Sequence, residues 1–241
     1  MVMLSDRTES GDQAERASAA GSVESVNVAA AAISVPGLGR ATGIDKHPVD
    51  HPVAVAAPGP KGVGGSGFSG DTICELRHHG GDDQAVYAYA MEDLENWGGE
   101  LGRPLRPGSF GENLTTRGVD LSNALLGERW AVGDSLVLEI SDPRVPCRTF
   151  AGWLGERGWI RRFTERAAPG TYLRVIAPGQ VRAGDGIRVI HRPAHGATVR
   201  MAFQAFLDHP ELLPRLIGVP SLSTEAQHWI NKRVDKQAVG R

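Results

Sequence analysis

Short apolar runs broken by glycine and proline fill the chain up to Gly196, and a helical period takes over only from Ala197 onward. The first pattern predicts strands joined by turns. Val23 to Val35 alternates and then runs apolar, which suits a first strand ended by Pro36-Gly37-Leu38-Gly39. Between Ala41 and Ala57, the pairs His47-Pro48 and His51-Pro52 force an extended course, and Val49, Val53 and Val55 resume alternation, so a strand or hairpin is expected. Ala56 to Gly70 reads as a Gly/Pro-rich loop whose glycines do not have phosphate-loop spacing around Lys61. Thr72 to Leu76 reads as a short strand with Cys74 inside it in a structural role. Ala85 to Tyr89 is too short to assign to strand or helix. Glu92 to Trp97 predicts a helix stopped by Gly98-Gly99, and Leu105 to Thr116 a polar loop. Trp130 to Ile140 reads as a strand interrupted at Gly133-Asp134, Trp153 to Arg166 as a helix or pair of turns, and Tyr172 to Ala177 and Gly186 to Ile190 as strands.

Beyond Ala197, Val199, Ala202, Phe203, Phe206 and Leu207 form one helical stripe ended by Pro210. Leu212, Leu213, Leu216 and Ile217 make a second short helix, and Thr224 to Gln227 has capping-box spacing ahead of a third with Trp229 and Ile230. The expected organisation is a disordered polar tail over residues 1–22, a mainly β domain over 23–193 and a three-helix unit over 194–241.

Composition narrows this picture. The 241 residues are 41% hydrophobic and 22% charged, an ordinary globular balance, and 31 glycines with 15 prolines favour short strands and turns. A formal charge of −2 argues against a general nucleic-acid binder. No apolar run reaches the ~20 residues that span a bilayer. Met1 to Gly21 carries Asp6, Glu9, Asp12 and Glu15 rather than the basic start and apolar centre of a secretory signal. Two cysteines, in opposite halves of the chain, make neither a disulfide framework nor a zinc-finger spacing, and a reducing cytoplasm is the expected compartment.

The stretch Ser141-Asp142-Pro143-Arg144-Val145-Pro146-Cys147-Arg148-Thr149-Phe150 holds the candidate chemistry. Its prolines steer Asp142 and Val145 away from helix, so Cys147 is expected on a stiff irregular segment where a strand gives way to a loop. Arg144 and Arg148 flank it, and guanidinium groups favour the thiolate that binds soft metals and attacks electrophiles. An inert, buried cysteine with two surface arginines is an equally open reading of this window. The histidines are weak metal candidates: prolines remove the helix that would align His47 with His51, and adjacent His78 and His79 diverge on a strand. Gly80-Gly81 reads equally as a structural turn or as an anion cradle. The aromatic and basic residues of Trp153 to Arg166 suit core packing edged by arginines better than a platform for single-stranded nucleic acid.

Taken in order, Gly70-Asp71, His78-His79-Gly80-Gly81 with Asp83-Gln84-Ala85-Val86-Tyr87, Phe110-Gly111-Glu112-Asn113-Leu114-Thr115, Gly127-Glu128-Arg129-Trp130 and Pro143-Arg144-Val145-Pro146-Cys147 resemble the MOSC domain, named for the C-terminal part of molybdenum cofactor sulfurase. Glu128 departs from the Asp usual at that point of the pattern. The C-terminal helices resemble the three-helix extension of the bacterial branch that reduces N-hydroxylated purines. The resemblance implies a mainly β fold, a MOSC-type β-barrel with peripheral helices and a small C-terminal three-helix unit. It implies that Cys147 is the catalytic residue and the protein ligand to molybdenum in a Mo-molybdopterin cofactor. Candidate cofactor contacts are Lys46, Arg144 and the Gly80-Gly81 turn for phosphate or pterin, and Asn113 with the Leu114 backbone for the pterin edge. His79, with His78 and Asp83, would shape the mouth. The implied activity is reduction of an N-hydroxylated small molecule to an amine, with electrons from a flavin- or haem-containing partner protein. The alternative is a non-catalytic carrier that delivers the cofactor, or a persulfide on Cys147, to another enzyme.

Overall fold

The computed structural model of the chain describes residues 20–239. In chain order it forms β1 (Gly21–Val28), β2 (Ile33–Ser34), β3 (Ala41–Thr42), β4 (His47–Val49), β5 (Val53–Val55) and β6 (Val86–Ala90), then helix α1 (Met91–Leu101) and β7 (Leu114–Arg117). There follow β8 (Arg129–Val132), β9 (Leu136–Pro143), α2 (Arg148–Leu154), α3 (Trp159–Arg166), β10 (Thr171–Ala177), β11 (Gly179–Val181) and β12 (Gly186–His191). The chain ends in α4 (Val199–Leu207), a 3-10 segment (Pro210–Leu216) and α5 (Thr224–Val239). Residues 1–19 of the expected tail lie outside the described residues, while Gly21 and Ser22 already belong to β1.

Seven strands close a barrel in the order β12-β8-β9-β10-β6-β7-β1, sealed where Gly21 and Ser22 of β1 pair with Ile187 and Gly186 of β12. Neighbours in the ring are antiparallel except β6 and β7, which run parallel. Their parallel course needs a crossover, and α1 with the loop after it supplies one. The expected mainly β barrel with peripheral helices is therefore the fold observed.

β6 explains why its sequence gave no clear period. All five residues of Val86-Tyr87-Ala88-Tyr89-Ala90 are buried, because both faces are covered. Val86, Ala88 and Ala90 join the barrel core with Val26, Leu114, Leu138, Ile140 and Leu173. Tyr87 and Tyr89 point outward into a second, aromatic core with Trp97, Phe110, Phe150, Trp159 and Phe163. Small side chains inside and large ones outside alternate with period two, but all read as apolar.

Elsewhere the structure corrects local expectations. Thr72 to Leu76 forms no strand, and Cys74 is exposed rather than enclosed in a sheet. α1 runs through Gly98-Gly99 and stops only at Gly102, which adopts φ 65° and returns its N–H to Gly98 and Gly99. Trp153 to Arg166 splits between α2 and α3 at Gly155 and Gly158, both left-handed. The second C-terminal element is a 3-10 segment because Pro214 inside it lacks the N–H an α-helix needs. Ser223, not Thr224, caps α5, accepting from the Ala226 N–H at 3.2 Å. The aromatics of α3 are core: Trp159 is 1% exposed and Phe163 0%, so neither face is open to a nucleobase.

Phe110 ties this second core together, with ring centroids 4.8 Å from Tyr89, 5.0 Å from Phe150 and 5.6 Å from Trp159. Phe110→Ala is expected to cost about 3–5 kcal/mol, as truncations of buried aromatics do. Urea denaturation measures it; a loss below about 1 kcal/mol would show that α2 and α3 do not depend on this cluster.

Candidate functional site

β9 ends at Pro143, paired with Thr171 of β10, and the chain then crosses the barrel rim through Arg144-Val145-Pro146 to Cys147. Cys147 is the N-cap of α2, in extended conformation, and its Sγ accepts the Phe150 N–H at 3.4 Å. The expected irregular segment is therefore only three residues long, and a helix begins directly after the thiol. The side chain is half-buried and faces a narrow cavity of about 90 Å³.

Arg144 lines the same cavity and is 6% exposed. Its guanidinium lies 3.9 Å from the Phe150 ring centroid and 5.0 Å from that of Tyr87. Among the described residues no carboxylate forms an ion pair with it, and its buried Nη1 has no hydrogen-bond partner. Burial works against the charged form, but the oxygens of Tyr87 and Tyr172 and the Cys147 sulfur outweigh it and hold the guanidinium above its ordinary pKa. A buried cation without an ion-pair partner is costly unless an anion comes to the space beside it.

The other sequence candidates divide. Lys46 and Asn113 line the cavity, yet both are already engaged. Lys46 forms a buried ion pair with Asp71, and burial pulls the ammonium down while Asp71 pulls it back up. Asn113 donates to Asp71 Oδ2 at 2.9 Å and accepts from the Tyr87 N–H at 3.3 Å. Asp71 also accepts the Ala29 N–H at 2.8 Å, so the three side chains bind the first strand region to the 105–113 loop. Gly80 lines the cavity, but Gly81 does not, and both adopt φ +78°. A Cβ on Gly80 would sit 2.6 Å from the Gly65 carbonyl, and one on Gly81 2.7 Å from Lys61 Cα. The close approach these glycines permit is thus to the 59–65 loop, and the Gly81 N–H is spent on Gly65 at 3.0 Å. Leu114 is 0% exposed in the barrel core, and its backbone pairs with Val26 and Ala88. Asp83 turns away to Arg174 at 2.5 Å, and Arg148 is exposed outside the cavity. Glu112 braces its own loop, accepting from Gly108 at 2.5 Å and Phe110 at 2.9 Å. Glu128 lies elsewhere, accepting from the Trp130 indole at 2.8 Å.

The sequence assigned no role in the site to several lining residues: Arg40, Cys74, Gln84, Tyr87, Thr149 and Tyr172. Arg40 reaches Thr149 Oγ1 at 3.0 Å and adds a second cation at the rim. His79 lines the cavity mouth, and burial, aided by Arg144, His78, Lys61 and Arg40, pushes it down to about 4. Among the described residues no three His, Cys, Asp or Glu side chains converge to hold a metal ion, so a metal at Cys147 would take its other ligands from a cofactor or solvent. Against the metal-bearing pterin, Cys147, Arg144 and Arg40 fit: a soft donor and two cations beside one opening, one of them with a free buried N–H.

The fold and the site together define a barrel protein with a rim cavity lined by the half-buried Cys147 thiol and the buried Arg144, with Cys74 and Arg40 toward its exposed side. The profile of the MOSC domain matches residues 75–188. A Bacillus subtilis (strain 168) protein, YflK, is 31% identical over 162 residues, which are 67% of this chain and 73% of that protein. A Gibberella moniliformis protein named a reductase is 30% identical over 140 residues, 56% of this chain but only 24% of the larger protein. The crystal structure of YiiM from Geobacillus stearothermophilus superposes with a TM-score of 0.70 at 25% identity, covering 88% of this chain and 98% of that one. The chain belongs to the MOSC domain family.

Two predictions test the roles assigned to these side chains. Asp71→Ala leaves Lys46, Asn113 and the Ala29 N–H without their acceptor and is expected to cost about 3–5 kcal/mol, whereas Lys46→Met, which leaves Asp71 two donors, costs less than half as much. Urea denaturation of both variants measures the asymmetry, and equal costs would refute it. For His79, the unfolded chain takes up a proton near the ordinary imidazole pKa of 6.5, but the folded chain only near 4. The stability that the neutral ring contributes is therefore complete above about pH 6.5 and lost as pH falls to about 4. His79→Asn should remove up to about 3 kcal/mol of the acid-side slope in that window, read as the difference between wild-type and variant unfolding free energies at pH 7 and pH 4.5.

Proposed function

We propose that this chain is a molybdenum-cofactor-binding oxidoreductase that reduces N-hydroxylated small molecules, such as N-hydroxylated purine bases, to amines. The observation that carries the reading is the buried Arg144 guanidinium, outside any ion pair among the described residues and with Nη1 free of a hydrogen-bond partner, opening on the same cavity as the Cys147 sulfur. A soft sulfur donor suits molybdenum, and a desolvated guanidinium suits the phosphate or another acidic edge of a pterin. The relative named a reductase and the membership of the MOSC family support the same direction.

When bound, the cofactor supplies the two electrons that cleave an N–O bond, with two protons, to give amine and water. The chain's own residues do the rest. Cys147 is the anchor, held by the Phe150 N–H in the orientation that faces the cavity. Arg144, set between the Tyr87 and Phe150 rings, and Arg40 at the rim supply positive charge, and among the described residues neither forms an ion pair. Lys46 and Asn113 keep the floor in shape through Asp71. His79, neutral at pH 7, leaves the mouth free of a further charge. The described residues contain no helix long and apolar enough to cross a membrane, and both cysteines are free, consistent with work in the cytoplasm beside a flavin- or haem-containing electron donor.

Expressed in a host that makes the cofactor, the protein is expected to carry about one molybdenum per chain, Cys147→Ala none, and Arg144→Leu markedly less than wild type. Metal analysis of the purified proteins decides this, and equal molybdenum in wild type and Cys147→Ala would overturn the assignment. Loaded protein given a chemical reductant and N-hydroxyadenine should release adenine. Loading without product would instead identify a carrier that hands the cofactor on.

A further inference from the structure

Beside the thiol cavity lies a wider cleft of about 360 Å³, formed where β9 leaves the barrel and α4 and α5 pack against it. His79, Gln84 and Tyr172 line both spaces, so the two meet. The apolar wall of the cleft is Val145, Phe206, Leu207 and Trp229, with the Phe206 and Trp229 rings edge to face at 5.6 Å. Val145 is 43% exposed and Leu207 38%, so apolar surface stands open beside an aromatic pair. A flat ring is the shape that would cover it.

The polar groups of this cleft are mismatched in one direction. Asp142 is only 8% exposed, yet its Oδ1 has no hydrogen-bond partner, and the buried Gln84 Oε1 has none either. Both atoms accept hydrogen bonds and neither can donate one in place of the missing partner. The neighbouring cations are already committed. Lys61 is paired with Glu225 across the mouth at 2.9 Å, and Arg174 holds Asp83 at 2.5 Å and Glu139 at 2.8 Å. Two buried acceptors without donors carry a free-energy cost that a ligand rich in N–H groups would relieve.

We infer that this cleft binds a flat aromatic molecule with a cationic, multi-donor N–H edge of the amidinium or guanidinium class, its ring against Trp229 and Phe206 and its N–H edge toward Asp142 and Gln84. The same arrangement rejects aryl carboxylates, which would set acceptor against acceptor and negative charge against negative charge. The cleft adjoins the Cys147 cavity through His79, Gln84 and Tyr172, and its binding of such a molecule is independent of the proposed reductase reading.

The test is calorimetric titration of the full-length protein, purified from a host that cannot make the molybdenum cofactor, with phenylguanidine and with benzoate. It is run at pH 8, where Asp142 is ionised: burial pushes it up to about 6, the Ser223 hydroxyl pulls it back, and the Asp83 charge pushes it further. Phenylguanidine should bind saturably at one site, with benzoate at least tenfold weaker. Asp142→Asn should weaken phenylguanidine at least tenfold, and Gln84→Leu and Trp229→Leu should each weaken it severalfold, with melting temperatures confirming that each variant is folded. Equal binding of the two ligands, or wild-type affinity in folded Asp142→Asn, overturns the inference. Should Asp142→Asn fail to fold, wild-type affinity in both Gln84→Leu and Trp229→Leu overturns it equally. Molybdenum content is read separately on cofactor-loaded protein, so a failed cofactor assignment and a failed binding site give different results.

Discussion

The geometry of the site depends on one aromatic residue, Phe150. Its backbone N–H donates to the Cys147 sulfur, and its ring supports the Arg144 guanidinium at 3.9 Å. The opposite contacts of that ring are Phe110, Trp159 and Phe163, at 5.0, 5.4 and 5.2 Å. A side chain fixed on this many sides cannot rotate without opening a void, so the sulfur and the cation inherit the rigidity of the core. The second aromatic core therefore has a purpose beyond attaching helices to the barrel. It converts packing energy into the placement of a donor atom and a charge at the same opening.

This explains which parts of the site could be read from the residues and which could not. Cys147 was legible because two prolines and two arginines mark it locally, and the barrel was legible as short runs between turns. Tyr87 stands in the family pattern, but its place under Arg144 was not legible, because β6 is covered on both faces and its large outward residues look like any apolar run. The role of Phe150 was not legible either, because its importance comes from partners at Phe110 and Phe163, which no local pattern connects to it. Arg144 and Arg148 looked equivalent in sequence. Only the fold separates them, turning one inward between Tyr87 and Phe150 and leaving the other exposed. Gly80-Gly81 shows the converse limit: a glycine pair predicts close approach correctly but not what approaches, which here is the chain's own 59–65 loop.

Lys46 and Arg144 make the same point in terms of charge. Both are buried cations on the cavity wall, and a count of positive residues would rank them alike. Lys46 faces Asp71, which is itself held by Asn113 and Ala29, so its charge is neutralised within the protein and a further anion would gain little by approaching it. Arg144 faces aromatic rings, which attract a cation but do not neutralise it. The desolvation cost of the first is compensated before any ligand arrives, and that of the second is compensated only afterwards.

The same logic gives the site a polarity. On the Cys147 side the uncommitted groups are a donor-rich guanidinium and a soft sulfur, and on the side of α4 and α5 they are the acceptors of Asp142 and Gln84. The barrel alone could present the first set, but the second needs the C-terminal elements, whose Phe206, Leu207 and Trp229 complete the wall around Asp142. Asp142 and Arg144 lie on the same strand exit, two residues apart and separated by Pro143, yet their free atoms serve different cavities. A single short segment thus sets opposite charges into adjoining spaces without letting them neutralise each other. A helical continuation at this point would have changed both placements together, and Pro143 and Pro146 prevent it.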